Sequence, residues 1–305
     1  MSSQSGFTYE RRVEVINSPM NILYLNHYAG TPSLGMEYRP YYLAREWVRA
    51  GHAVTVVAAN FSHVRARQPQ AGQEDVDGIT YHWLPTPGYQ GNGLGRVKNI
   101  WSFLRQVWQL TPALVAACKP DVVIASSTYP MDIWVARRMA RLAGARLVYE
   151  VHDLWPASPM ELSGMPWWHP FILLCQKAEN DAYRDAARVV SMLPNVAGHM
   201  AAHGLDLHKL HIVPNGISPE EWGGPAKALP DALAAHLQSL RAAQRVVVGY
   251  AGSHGVPNAL DVLLDAATLL QHENIAFVLV GDGHEQARLA QRVQAEGLHN
   301  VRLFA

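Results

Sequence analysis

Cysteine is scarce: Cys118 and Cys175 are the two cysteines among 305 residues, and they form no C-x-x-C. That excludes a disulfide-stapled fold and a thiolate metal cluster, and both read as reduced core residues of a cytoplasmic protein. Excess charge is missing as well, since 25 basic residues balance 25 acidic ones and only 16% of the chain is charged. A nucleic-acid binder would show a basic patch or stripe, so nucleic acid is not an expected partner. No apolar run reaches the roughly 18 residues of a membrane span. The opening MSSQSGFTYERRVEVINSP has no apolar h-region, so it is no secretory signal. Residues 1–19 read as a disordered extension, with Met20 an alternative start. There is no G-x-x-x-x-G-K-[ST] loop, which disfavours ATP hydrolysis, and no H-E-x-x-H.

What the chain does have is apolar material, 49% of it, enough for the cores of two domains. Short apolar runs such as NILYLNHY (21–28), AVTVVAAN (53–60), DVVIASS (121–127) and RLVYEV (146–151) alternate with amphipathic helical runs. That alternation predicts a parallel sheet covered on both faces. A polar loop is expected between residue 60 and the strand GITYHWLP, and two helices over VKNIWSFLRQVWQL and PALVAACK. An N-terminal domain is expected over 20–217, a Gly/Pro/Ala-rich linker over 218–243, and a partial second domain over 244–305. The last part has so few strands that the chain reads as truncated within that domain.

Ligands of open α/β sheets bind beyond the carboxyl ends of the strands, and there VYEVHDLWPASP places His152 and Asp153. The loops GYAGSHGVPN and VLVGDGHEQ each join a strand to a helix. Their glycines let backbone approach a ligand, and a helix N-terminus suits a diphosphate. Asp282 is placed to bond a ribose or base. Other patterns are weaker: GNGLG (91–95) reads as a loop, and Asp75 and Asp77 as a solvated turn. His199 and His203 stand at i, i+4, with His208 and His211 nearby, but there is no H-E-x-x-H and no carboxylate suitably placed, so no metal is expected. WWHPFILLC (167–175) fits either a buried helix or contact with a membrane interface.

EVHDLWPASPMELSG, IVPNGISPEEW, YAGSHGVPNALDVLLDAATLL and FVLVGDGHEQARLAQRVQAEGLHNVRLF, following MNILYLNHY, resemble the group 1 family (family four) of retaining glycosyltransferases. The likeness is greatest to the bacterial surface-polysaccharide branch with its fucosamine-transferase-like members. It runs in the family's order from about residue 20 onward. The resemblance implies an α/β GT-B fold of two Rossmann-like domains with parallel sheets, here with the second incomplete. It implies that the N-terminal domain takes a lipid-linked or other saccharide acceptor. The C-terminal domain would bind a nucleoside-diphosphate sugar as substrate, with no cofactor or metal.

Carried over residue by residue, Gly35 would face the donor diphosphate and His152 would hydrogen-bond the transferred sugar. Gly252, Ser253 and Gly255 would form the diphosphate loop, and Asp282 and Gly283 the wall near the nucleoside. Ser253 and His254 stand where the family often has an Arg, and no Lys follows. The family's E-x7-E pair would fall beyond residue 305, so the chain as given is expected to transfer little sugar. The implied location is the cytoplasm, peripheral at the inner face of the membrane. Two other readings share the fold: a nucleotide-sugar 2-epimerase and a truncated, non-catalytic fragment.

Overall fold

Along NILYL the side chains alternate between two layers: Leu23 and Leu25 pack with one set of helices, Ile22 and Tyr24 with another. Burial on both faces is what a Val/Ile/Leu-rich parallel strand requires. The computed structural model describes residues 18–35, 37–91, 93–223 and 228–305, so all but the end of the expected 1–19 extension lies outside the described residues. The chain divides into two compact units, Met1–Gly216 and Ile217–Ala305.

The first unit runs β1 (Asn21–Leu25), α1 (Arg39–Arg49), β2 (Ala53–Ala59), β3 (Gly72–Val76), β4 (Ile79–Leu84), α2 (Leu94–Cys118), β5 (Val122–Ala125) and α3 (Asp132–Ala143). It continues with β6 (Arg146–Val151), α4 (Ala157–Ser163), α5 (Pro170–Asp185), β7 (Arg188–Ser191), α6 (Ala197–Ala202) and β8 (Leu210–Ile212). The sheet order is β3-β4-β2-β1-β5-β6-β7-β8, all parallel except the β3–β4 pair. The chain winds outward in both directions from β1 and β5, so the topological switch point lies between them. Helices α2, α3 and α5 supply one core layer, and α1 covers the other face through Tyr41 and Ala44.

The second unit runs α7 (Pro219–Trp222), α8 (Asp231–Ala242), β9 (Val246–Ala251), α9 (Asp261–Leu269), β10 (Ile275–Val280), α10 (Gln286–Ala295) and β11 (Val301–Phe304). Its parallel sheet has the order β11-β10-β9. Leu264, Leu279 and Leu289 build the core on one face, and Leu233 and Leu240 of α8 pack with Ala276 and Val278 on the other. Helix α8 thus lies in the stretch read from composition as a linker.

Two elements differ from the sequence reading for local reasons. The polar loop after β2 contains β3, an antiparallel strand whose residues are nearly all exposed, so burial left no mark on GQEDV. The two helices expected around Pro112 are one, α2. Proline has no N–H for the Trp108 carbonyl four residues back. Arg138 of α3 donates to that carbonyl and lies 4.3 Å from the centre of the Trp108 ring, so the missing bond is replaced from the neighbouring helix.

Candidate functional site

The carboxyl ends of β1, β5 and β6 converge at the switch point and bring Tyr24, Ser126, Glu150 and His152 together. Glu150 sits in the interior of β6 with its side chain 4% exposed. Burying a carboxylate is costly unless it is paired and hydrogen-bonded. Here Oε1 accepts from Arg39 Nε at 3.0 Å and Nη2 at 2.9 Å, while Oε2 accepts from the Ser126 hydroxyl at 2.7 Å and from Tyr24 OH. Burial pushes Glu150 up. The hydrogen bond and charge of His152, with Arg39 and Tyr24, outweigh it and hold the carboxyl down at about 2.

His152 follows directly on β6 and is 9% exposed in its side chain. Its Nε2 lies 2.8 Å from Ser126 Oγ and 3.5 Å from Glu150 Oε2, and its Nδ1 lies 3.5 Å from Glu37 Oε1. Burial lowers its proton affinity, but Glu150, by hydrogen bond and charge, and Glu37 reverse the sign, so the ring is raised above its ordinary value. Ser126 is set between His152 and Glu150, its hydroxyl donating to the carboxylate and facing the ring nitrogen. His27, just past β1, has the opposite fate: burial drops it to about 3, and its Nδ1 bonds Tyr129 OH at 2.6 Å.

These shifts fix a pH dependence. The stability contributed by His152 is complete below the ordinary imidazole value of 6.5 and is lost as pH rises through its raised folded value. The contribution of Glu150 is complete above the ordinary 4.5 and is lost only as pH falls toward about 2. The thermal destabilisation caused by His152→Gln is accordingly expected to be larger at pH 6 than at pH 9. Equal melting-temperature differences at both pH values would mean that His152 is neutral in the fold.

Gly35 lies two residues before Glu37. It has φ +98°, pairs with Thr31 as an isolated bridge, and a Cβ there would stand 2.9 Å from the Ala66 nitrogen. A side chain there would be strained and crowded, so this position depends on glycine. Of the residues expected at the site, Gly35 and His152 both lie in the first unit. Asp153 stays exposed; its carbonyl accepts from the Trp155 N–H at 3.1 Å, and its carboxylate has no hydrogen bond among the described residues.

The remaining expected residues share the second unit. Gly252, Ser253 and Gly255 follow β9, and Asp282 and Gly283 follow β10. The two loops pack backbone against backbone: His254 N–H donates to the Asp282 carbonyl at 2.9 Å, and Gly252 N–H to Val280 at 3.0 Å. A Cβ on Gly281, which has φ +146°, would lie 1.9 Å from the Gly252 oxygen. Close loop packing thus accounts for a glycine that the sequence suggested was kept for a ligand. Ser253 is exposed and Gly255 buried, and among the described residues no backbone carbonyl accepts from either N–H. His254 is fully buried, with neither ring nitrogen partnered among the described residues. Asp282 is exposed, and its Oδ1 accepts from the Gly283 N–H at 2.7 Å.

Sequence reasoning missed Glu37, Arg39, Ser126 and Glu150. One signal was present: Glu150 is the single charged residue in the interior of an otherwise apolar strand, RLVYEV. It also missed Glu179, which lies within 3.2 Å of His199. The expected Asp75–Asp77 turn joins β3 to β4, with Asp75 Oδ1 accepting from Gly78 N–H and Asp77 accepting from Tyr41 OH. Cys118 and Cys175 are both free thiols, and burial pushes Cys175 up to about 12.

Residues 35–216 match the family described as the Glycosyl transferase 4-like domain. The Escherichia coli (strain K12) protein designated colanic acid biosynthesis glycosyl transferase WcaI is 25% identical over 188 residues, which are 61% of this chain and 46% of that protein. The match therefore spans just under half the length of that relative. Among solved structures, Anabaena Alr3699/HepE in complex with UDP and glucose superposes with a TM-score of 0.59 at 20% identity, covering 94% of this chain and 70% of that one. The catalytic domain of Arabidopsis thaliana starch synthase IV bound to ADP and acarbose gives 0.64 at 15% identity, covering 94% and 74%. At such identities these two likenesses speak for the fold alone.

Proposed function

Since the chain belongs to the Glycosyl transferase 4-like domain family and has the α/β fold of GT-B glycosyltransferases, we propose that it moves a hexose or N-acetylated hexosamine from a nucleoside-diphosphate sugar to a lipid-linked or other saccharide acceptor. The product belongs to bacterial surface polysaccharide, within the branch that includes fucosamine-transferase-like members, and the anomeric configuration of the donor is retained. The observation that carries this reading is the His152 network at the carboxyl ends of β1, β5 and β6.

In this mechanism His152 orients the transferred sugar by hydrogen bonding and is not a nucleophile. Its Nε2 is engaged by Ser126, which leaves the Nδ1 side, toward Glu37, for a sugar hydroxyl. The attacking hydroxyl approaches from the face that the diphosphate leaves, and the departing phosphate takes its proton. Fixing the donor in that geometry is the larger part of what such a site contributes. Gly35 lies against the diphosphate. Gly252, Ser253 and Gly255 form the diphosphate loop, where the Ser253 N–H has no backbone acceptor among the described residues, and Asp282 and Gly283 stand by the nucleoside. No cofactor or metal takes part in transfer.

The protein works in the cytoplasm, peripherally at the inner face of the membrane. No described helix is long and apolar enough to cross a membrane, whereas Trp167 and Trp168, just ahead of α5, are 69% and 61% exposed. Exposed tryptophans suit the headgroup region of a bilayer. The test is to incubate the protein, expressed from its complete reading frame, with UDP- and GDP-sugars and lipid-linked saccharides. The product anomer is then read by NMR. Acceptor-dependent transfer with retention is expected. Interconversion of the nucleotide sugar without acceptor, or an inverted product, overturns the proposal.

A further inference from the structure

Away from the His152 network, the described residues gather one set of metal-ligating side chains: Glu179 of α5 with His199 and His203 of α6 and its C-cap. One ligand atom from each lies within 4.8 Å of the others. We propose that these three side chains form a Zn2+ site that clips α6 to α5.

The i, i+4 spacing puts both imidazoles on one helical face, and their ring centres are 4.3 Å apart. His203 Nδ1 lies 2.9 Å from the His199 carbonyl oxygen, an acceptor only, so Nδ1 carries the hydrogen. The lone pair is thereby fixed on Nε2, and a bond from the other ring nitrogen to a backbone carbonyl is the usual support of a metal-bound histidine.

Glu179 is held with similar care. Its Oε1 accepts from Tyr183 OH at 2.8 Å and faces His199 Nε2 at 3.2 Å, and its Oε2 accepts from Gln176 at 2.7 Å. The carboxylate is 2% exposed, and among the described residues its one ionic partner is His199. A buried carboxylate with neither Lys nor Arg beside it is well served by a divalent cation.

Two imidazoles and one carboxylate suit Zn2+ better than Mg2+ or Ca2+, which favour all-oxygen shells, and they leave a fourth position for water. Bonds of about 2.0–2.1 Å put tetrahedral ligand atoms about 3.4 Å apart, so the three groups need to draw closer together around the ion. The cation takes the place of the contact between His199 and Glu179. The site shares no residue with the His152 network.

The test is a Zn2+ titration of the metal-stripped whole protein by calorimetry, with the visible absorbance of added Co2+ as a second readout. One equivalent is expected to bind, with tetrahedral Co2+ bands and a raised melting temperature. His203→Ala and His203→Gln should each lower the affinity by at least the ~10–100-fold that loss of an outer-shell partner costs. Both should also abolish the Co2+ bands, while His208→Ala changes neither. The second His203 variant guards against misfolding of the first, checked by circular dichroism. No stoichiometric binding, or the same affinity in the His203 and His208 variants, overturns the proposal.

Discussion

Replacing His152 with alanine, in the protein expressed from its complete reading frame, is expected to lower sugar transfer by about 10²–10⁴-fold, the usual contribution of a positioned acid–base or hydrogen-bonding group. The fold should survive. His152 stands beyond the end of β6, outside its ladder, and Glu150 keeps Arg39, Ser126 and Tyr24 without it. The loss should fall mainly on kcat, because an orienting hydrogen bond matters most once the sugar moves toward the transition state. Donor binding, followed by quenching of intrinsic fluorescence, should change far less. Near-normal kcat in a folded His152→Ala protein would remove His152 from the site. A collapsed melting curve would instead assign it a structural role.

Arg39→Ala carries the largest expected loss of stability. Arg39 and Glu150 form an ion pair with side chains 7% and 4% exposed, and Arg39 also donates to the Val213 carbonyl at 2.8 Å and to Asn215 Oδ1 at 3.0 Å. Breaking a buried pair by removing one partner costs about 3–5 kcal/mol, although Glu150 keeps His152, Ser126 and Tyr24. For a unit of this size that is a fall in melting temperature of about 6–20 °C. Lysine should rescue little of it, since a single ammonium cannot make the two bonds that converge on Oε1 along with those to 213–215. The double variant Arg39→Met/Glu150→Gln should be milder than Arg39→Ala, because no charge is then stranded. A drop under about 3 °C for Arg39→Ala would show that Glu150 does not depend on this pair for its charge.

The order of strands and helices was legible because burial on both sheet faces writes itself into runs such as AVTVVAA and RLVYEV. Where burial leaves no mark, as in GQEDV, the strand was invisible, and where a local rule is overridden from a distance, as at Pro112 by Arg138, the helix was split in two. The site followed the same division. His152 could be placed because strand ends are predictable. Its partners could not, because Arg39 reaches Glu150 across 111 residues of sequence and Ser126 reaches His152 across 26. Glu179 illustrates the point again: 20 residues separate it from His199, and only the packing of α6 against α5 makes them neighbours.

Arg39 serves two masters. The guanidinium that pairs with Glu150 also grips Val213, Pro214 and Asn215, the last stretch of chain before the first unit ends at Gly216. One side chain therefore fastens three segments that are distant in sequence: the start of α1, the interior of β6 and the chain just past β8.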